Sequence, residues 1–235
     1  MSNDTGAELR TQRLRLSSRA RTVYPALTFE VRPGALAAVL GASGTGKTSL
    51  LLTLAGRMRG WHGSATVCGH DLAREAARVR SRVGLALMPG VNDLAEALTP
   101  AQHVAEQLVF VPRSQRSGTD VLARVGLDAA ANVQVKRLDA EQRMRLGIAL
   151  ALVRDIRVLV VDDLDRDLDA EERARVLALL RELAEDGLTV VFACVDEATA
   201  ACADSVVRVA AQLAESVAEP AGDPVIAEVP ADAVA

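Results

Sequence analysis

Lysine is almost missing from this chain: Lys47 and Lys136 are the only two in 235 residues. Arginine and alanine abound instead, a pattern of GC-rich coding that carries no mechanism. The formal net charge is −4, so there is no overall basic field of the kind that sequence-independent nucleic-acid binding exploits, and DNA or RNA is not expected as a partner. Cysteine is scarce as well. Cys68, Cys194 and Cys202 make neither an even set nor a Cys-x-x-Cys pair, which excludes a disulfide framework and leaves reduced, mostly buried thiols as the expectation. No apolar run reaches bilayer-spanning length, and the opening MSNDTGAELR lacks the charged start and apolar stretch of a signal peptide. A cytoplasmic location is expected, and any role at a membrane requires a partner that supplies the spans.

Apolar residues make up 50% of the chain, enough to bury the core of one large domain or of a domain with an inserted lobe. Residues 1–8 are small and polar. From Gln212 onward the chain is acidic, rich in alanine and proline and without periodicity, so mobile tails are expected at both ends, with a disordered one over 212–235. Leu27 to Val31 alternates as a half-buried strand, and Arg32-Pro33-Gly34 supplies a turn. Ala35 to Leu40 is continuously apolar, which suits a central parallel strand, and Ser49 to Ala55 reads as helix. Ala65 to Gly69 and Val83 to Leu87 read as further strands, separated by a helix over Asp71 to Arg80. From Pro89 to about Val153 only helices and loops are expected. Val158 to Val161 is a second fully apolar strand. Helix Ala170 to Glu185 follows, with Asp169 as N-cap and Glu172 completing a capping box. Thr189 to Cys194 is another buried strand, and Ser205 to Val209 a last short one.

Between the strand Ala35 to Leu40 and the helix lies Gly41-Ala42-Ser43-Gly44-Thr45-Gly46-Lys47-Thr48, a match to G-x-x-x-x-G-K-[ST]. Glycines at these positions let backbone N–H groups close around phosphate oxygens, and the helix start adds unpaired donors and a favourable dipole. Gly41 through Thr48, with Ser49, are therefore the candidate contacts to a nucleoside triphosphate. Lys47 is aimed at the β/γ-phosphates and Thr48 at Mg²⁺. Asp162, at the end of the second apolar strand, is placed like the carboxylate that holds Mg²⁺ in such proteins. The acidic run Asp163-x-Asp165-x-Asp167-x-Asp169 invites a calcium loop. Starting at Asp163, Leu168 and Ala174 stand where glycine and glutamate are needed; starting at Asp165, Ala170 and Val176 do, so the template fails.

With these motifs in order, the stretch from about Leu9 to Val209 resembles an ABC transporter ATP-binding subunit. The resemblance rests on the P-loop, on LLTLAGRMRGWHGSATVCGHDL after it, on the turn and helix from Leu138 to Ala151, and on LVVDDLDRDLDAEER. It implies an α/β P-loop core with a mainly parallel sheet, an N-terminal antiparallel β part and an inserted α-helical subdomain over about 89–153, the whole spanning 9–211. It further implies ATP and Mg²⁺ as cofactors, a transmembrane subunit as partner, and a second nucleotide-binding subunit that closes over the ATP. The surface from Pro89 to Arg116 corresponds to the one such proteins present to membrane subunits.

Several positions depart from that family's pattern. Its Leu-Ser-Gly-Gly-Gln signature reads Leu138-Asp139-Ala140-Glu141-Gln142 here. A carboxylate about 4 Å from a phosphate charge costs on the order of 4 kcal/mol at an effective dielectric near 20; alternatively, Asp139 caps the following helix with Gln142 as its capping-box partner and never meets phosphate. The glutamate that polarises the attacking water is Asp163, the candidate catalytic residue with Lys47. The γ-phosphate histidine falls at Val195, the Mg²⁺-sensing glutamine at Met88, and the adenine-stacking aromatic at Ser18, with Tyr24 several residues too late. His62, His70 and His103 read as ordinary surface or turn residues. Three readings follow: an ATP-binding transporter subunit with weak or partner-dependent hydrolysis, a fully active transporter ATPase using Asp163 as base, or an ATP-dependent regulatory or scaffold protein without transport.

Overall fold

The computed structural model describes residues 7–17, 21–111 and 117–210. Two sheets carry the architecture, and both begin from sequence periodicity. Strand β1 (Leu9–Ser17) pairs antiparallel with β2 (Thr22–Val31). Leu9 and Thr11 face inward at odd positions, but Leu14 and Leu16 face inward at even ones. The phase changes at a bulge around Arg13, whose φ is 49° and where the pairing with the neighbouring strand slips. One extra residue flips every later side chain to the other face, which is why simple alternation did not reveal β1 in the sequence. Ala7 exchanges hydrogen bonds with Thr189, and the Glu8 carbonyl accepts from Cys68, so these two residues are anchored rather than part of a mobile tail. The proposed tail 212–235 lies outside the described residues, as do residues 1–6.

Strand β3 (Leu36–Leu40) is buried along its whole length and leads through the glycine loop into helix α1 (Lys47–Leu54). Strands β4 (Trp61–Val67) and β5 (His70–Asp71) complete the antiparallel sheet in the order β2-β1-β4-β5. The expected helix over Asp71 to Arg80 starts later, as α2 (Ala76–Arg82). Asp71 Oδ1 accepts from the N–H groups of Ala73 and Arg74, which turns the chain locally before a helix can begin.

Strand β6 (Val83–Leu85) follows, then the helical lobe: α3 (Pro100–Val109), α4 (Gly118–Arg124), a 3-10 turn at Val135–Arg137 and α5 (Ala140–Leu152). Strand β7 (Val158–Val161), α6 (Ala170–Glu185) and β8 (Thr189–Cys194) have the bounds read from the sequence. Helix α7 (Glu197–Ala200) and β9 (Ser205–Arg208) close the fold. The second sheet is parallel throughout, in the order β6-β7-β8-β3-β9.

This sheet has a packed core on each face, as its unbroken apolar strands require. Leu36, Ala38, Leu40, Leu159 and Phe192 pack toward α5 and α6, while Ala37, Val39, Val160 and Val191 pack toward α1 and the antiparallel sheet. The lobe is seated on the core through Gly147 of α5, where any Cβ would lie 2.3 Å from the Leu87 amide nitrogen. His103 is buried in α3, with Nε2 3.3 Å from the Ala95 carbonyl, and is not the surface residue its sequence context suggested. Among the cysteines only Cys194 is fully buried; Cys68 is half-buried and Cys202 exposed.

Candidate functional site

The site forms at the sheet edge where β3 and β7 end on either side of β8. The loop after β3 is held by Gly41 N–H donating to the Cys194 carbonyl at 3.2 Å. Gly46 takes φ 92°, and a Cβ there would sit 2.3 Å from the Val23 carbonyl oxygen, so no other residue fits. Because the residue that caps α1 is this glycine, no side chain caps the helix, and the first-turn N–H groups have no side-chain acceptor. Lys47 is buried, its Nζ donating to the carbonyls of Gly41 at 2.8 Å and Ala42 at 3.1 Å. A buried cation beside a helix start whose first turn has no side-chain cap is a cradle for an anion.

Beside it, Thr48 Oγ1 donates to Asp162 Oδ2 at 2.6 Å. Burial raises the Asp162 carboxyl pKa above the usual range, and the Asp163 charge adds to this; hydrogen bonds from Thr48 and from the Asp163 N–H, and the Lys47 charge, oppose it. No three acidic, histidine or cysteine side chains converge among the described residues. A divalent ion at Thr48 and Asp162 would therefore take its other ligands from water and phosphate oxygens, the usual manner of Mg²⁺. The donors present fit a phosphate chain and that ion.

Asp163 adopts φ 45° and its Oδ2 lies 3.4 Å from an Arg166 Nη, so the carboxylate is engaged on its own chain. Asp165 Oδ2 accepts from the N–H groups of Val195 at 2.7 Å and Asp196 at 2.8 Å, which ties the loop after β7 to the loop after β8. The Val195 side chain is exposed and apolar, with no donor to offer. Met88 points into the core; its N–H donates to Asn92 Oδ1, and Asn92 Nδ2 donates to the Ala86 carbonyl at 2.9 Å. Tyr24 is fully buried and donates to Thr53 Oγ1 at 2.9 Å, with burial pushing its phenol up to about 12. It is a core residue and not a platform for a base; Ser18 lies outside the described residues.

At the altered signature both acids are used inside the chain. Asp139 Oδ1 accepts from the Gln142 N–H at 2.7 Å and Gln142 returns a bond to the Asp139 N–H, the capping box read from the sequence. Glu141 is 13% exposed and bonds Arg145 one turn on and Arg175 of α6, both at 2.8 Å. Burial would raise its pKa, but the hydrogen bonds from Arg175 and Arg145 hold it below the ordinary glutamate value. Glu141 thus has its counter-charges within the chain. The i,i+4 spacing of Glu141 and Arg145 could have signalled half of this arrangement; Arg175, 34 residues away, could not.

A parallel sheet with a glycine loop between strand and helix, and a threonine hydroxyl paired to an aspartate at the end of the next strand but one, define a P-loop nucleotide-binding domain with a helical insertion. The family model described as ABC transporter matches residues 24–165, and the chain belongs to that family. It is 36% identical over 191 residues to the methionine import ATP-binding protein MetN 1 of Rhodococcus jostii, covering 77% of this chain and 56% of that one. It is 31% identical over 175 residues to the phosphonates import ATP-binding protein PhnC 1 of Cupriavidus metallidurans, covering 67% and 62%. The chain thus spans little more than half the length of these relatives. In structure it resembles a dimeric ATP-binding cassette, MJ0796, bound to ADP and Pi in a post-hydrolysis state. The TM-score is 0.73 and the identity 20%, over 86% of this chain and 94% of that one, a likeness of fold.

Proposed function

We propose that this chain is the ATP-binding subunit of an ABC-type transporter, binding Mg-ATP at its P-loop and coupling nucleotide binding to a membrane partner. The observation that carries this reading is the Thr48–Asp162 hydrogen bond next to buried Lys47. Lys47 leaves the carbonyls of Gly41 and Ala42 to meet the β/γ-phosphates, the N–H groups of Gly44 to Ser49 receive phosphate oxygens, and Thr48 and Asp162 hold Mg²⁺. Among the described residues no helix is long and apolar enough to cross a membrane, so the partner provides the spans and the chain sits at the cytoplasmic face.

Hydrolysis by the chain alone is weak. Support comes from Asp163 being short and engaged by Arg166, from Val195 offering no donor, and from Met88 facing the core. A second nucleotide-binding subunit completes the site. Calorimetry with Mg-ATP and phosphate release measured on one sample test the proposal. Wild type binds and releases phosphate slowly, and Lys47→Ala weakens binding roughly 10- to 100-fold, the scale of a lost charged hydrogen bond. Equal binding by Lys47→Ala would overturn the assignment.

A further inference from the structure

The outer face of the antiparallel sheet carries a depression of about 310 Å³, and the β1 bulge builds it. Leu9 and Thr11 face inward, so uninterrupted alternation would have aimed Arg13 and Arg15 at the core. The slip at Arg13 turns both outward instead, beside Gln12. The Arg13 N–H donates to Thr28 Oγ1 of β2 at 2.9 Å. On the other side, β4 closes on the bulge at Gly63, where a Cβ would lie 2.3 Å from the Arg13 carbonyl oxygen. Both neighbouring strands thus hold the bulge in place, and its left-handed φ falls on an arginine, not on a glycine.

Strand register sets the chemistry of the depression. Arg15 stands directly opposite His62, and Gln12 opposite Ser64, which holds the Cβ atoms of each pair about 5 Å apart. No carboxylate lines the depression, and Ala26 is its one apolar side chain. Among the described residues, the side chains of Arg13, Arg15 and His62 form no ion pair or hydrogen bond. The acids near the other end of β1, Glu8 and Glu30, are paired with Arg10. Two guanidinium groups side by side with no acid opposite cost the fold some repulsion, which a bound anion would remove.

The donors present exceed what a carboxylate can use. Two guanidinium forks, an imidazole, an amide and a hydroxyl share the depression, and a carboxylate offers them two oxygens in one plane. A phosphate group offers more oxygens in a tetrahedral array and takes bidentate bonds from arginine. With Ala26 alone for apolar contact, there is no pocket for the side chains of a peptide. We propose that this depression binds a phosphate-bearing anion, either a soluble one or the headgroup of an acidic lipid, through Arg13 and Arg15 with His62 beside them. None of its lining residues belongs to the glycine loop or to the helical lobe. The site is therefore separate from nucleotide binding and is tested on the full chain without nucleotide.

Nitrogen–proton NMR spectra follow a titration with inorganic pyrophosphate in roughly 0.15 M sodium chloride, where exposed charges are screened beyond about 8 Å. In wild type the amides of residues 12–16 and 62–64 should shift and saturate. The test variant is Arg13→Asn/Arg15→Gln, since asparagine tolerates the left-handed backbone. There the same shifts should need roughly 10-fold more pyrophosphate or beyond, the scale of a lost charged hydrogen bond. Signals of the core strands should superimpose on those of wild type, which shows that the variant is folded. A second arm separates the two sources of phosphate. Vesicles of phosphatidylcholine and phosphatidic acid pellet wild type and not the variant if the ligand is a headgroup; a soluble ligand gives the shifts without pelleting. The proposal is overturned if pyrophosphate moves only the amides of residues 41–49 and the vesicles leave wild type in solution. It is also overturned if the variant responds as wild type does, or if sodium acetate at the same concentration matches pyrophosphate.

Discussion

Thr48 Oγ1 and Asp162 Oδ2 lie 2.6 Å apart although 114 residues separate them in the chain. The parallel sheet makes the pair: β3 and β7 both flank β8 and end at the same edge. A buried carboxylate and a hydroxyl with one bond between them form a poor structural element and a good half of a metal site.

Asp162→Asn tests that balance. Burial raises the Asp162 pKa, so the folded state holds this proton more tightly than the unfolded chain. The cost to stability is absent at pH below the ordinary carboxylate value of about 3.9 and grows as pH rises toward the folded value. Without nucleotide, Asp162→Asn should melt above wild type at pH 7, with the gap closing as pH falls to 4. Added Mg-ATP should stabilise wild type and not the variant. A variant melting below wild type at pH 7 contradicts the sign.

Asp163→Glu with Val195→His restores a longer carboxylate and a donor. Val195 is exposed, so histidine fits there without disturbing the core. The left-handed backbone at Asp163 suits aspartate better than glutamate and should cost about 1 kcal/mol. Phosphate release per mole of chain should rise on the order of 100-fold, the contribution of a positioned acid–base group. No change would show that hydrolysis is limited elsewhere.

Glu141→Gln breaks the link between α5 and α6. We expect a loss of about 1–2 kcal/mol in urea unfolding at pH 7, less than for a fully buried pair because Arg175 is half-exposed. The Glu141 pKa is held low in the fold, so its contribution is present above the unfolded value of about 4.3 and fades as pH falls through the folded one. The difference between variant and wild type should shrink in that acid range and persist at neutral pH.

Tyr24→Phe removes only the hydroxyl that donates to Thr53. Stability should fall by about 1 kcal/mol, while ATP affinity measured by calorimetry stays within about twofold, since the ring is in the core and its hydroxyl bond is the one change. A large loss of affinity would place this ring at the nucleotide.

The sequence by itself determined what depends on near neighbours. The glycine loop, the apolar strands β3, β7 and β8, helix α6 with its Asp169 cap, and the Asp139–Gln142 capping box were all legible. Each rests on hydrogen bonds or apolar periodicity within a few residues. The tertiary structure alone decided the rest. It supplied the β1 bulge that hides a strand, the burial of His103, the Asn92 staple that turns Met88 inward and the Arg175 arm that neutralises Glu141. Each of these depends on how the chain packs in space, through strand register, burial, a loop's own path or a partner from a distant helix. A side chain's neighbours across a sheet or between helices are fixed by strand order and packing, and a one-dimensional pattern carries neither.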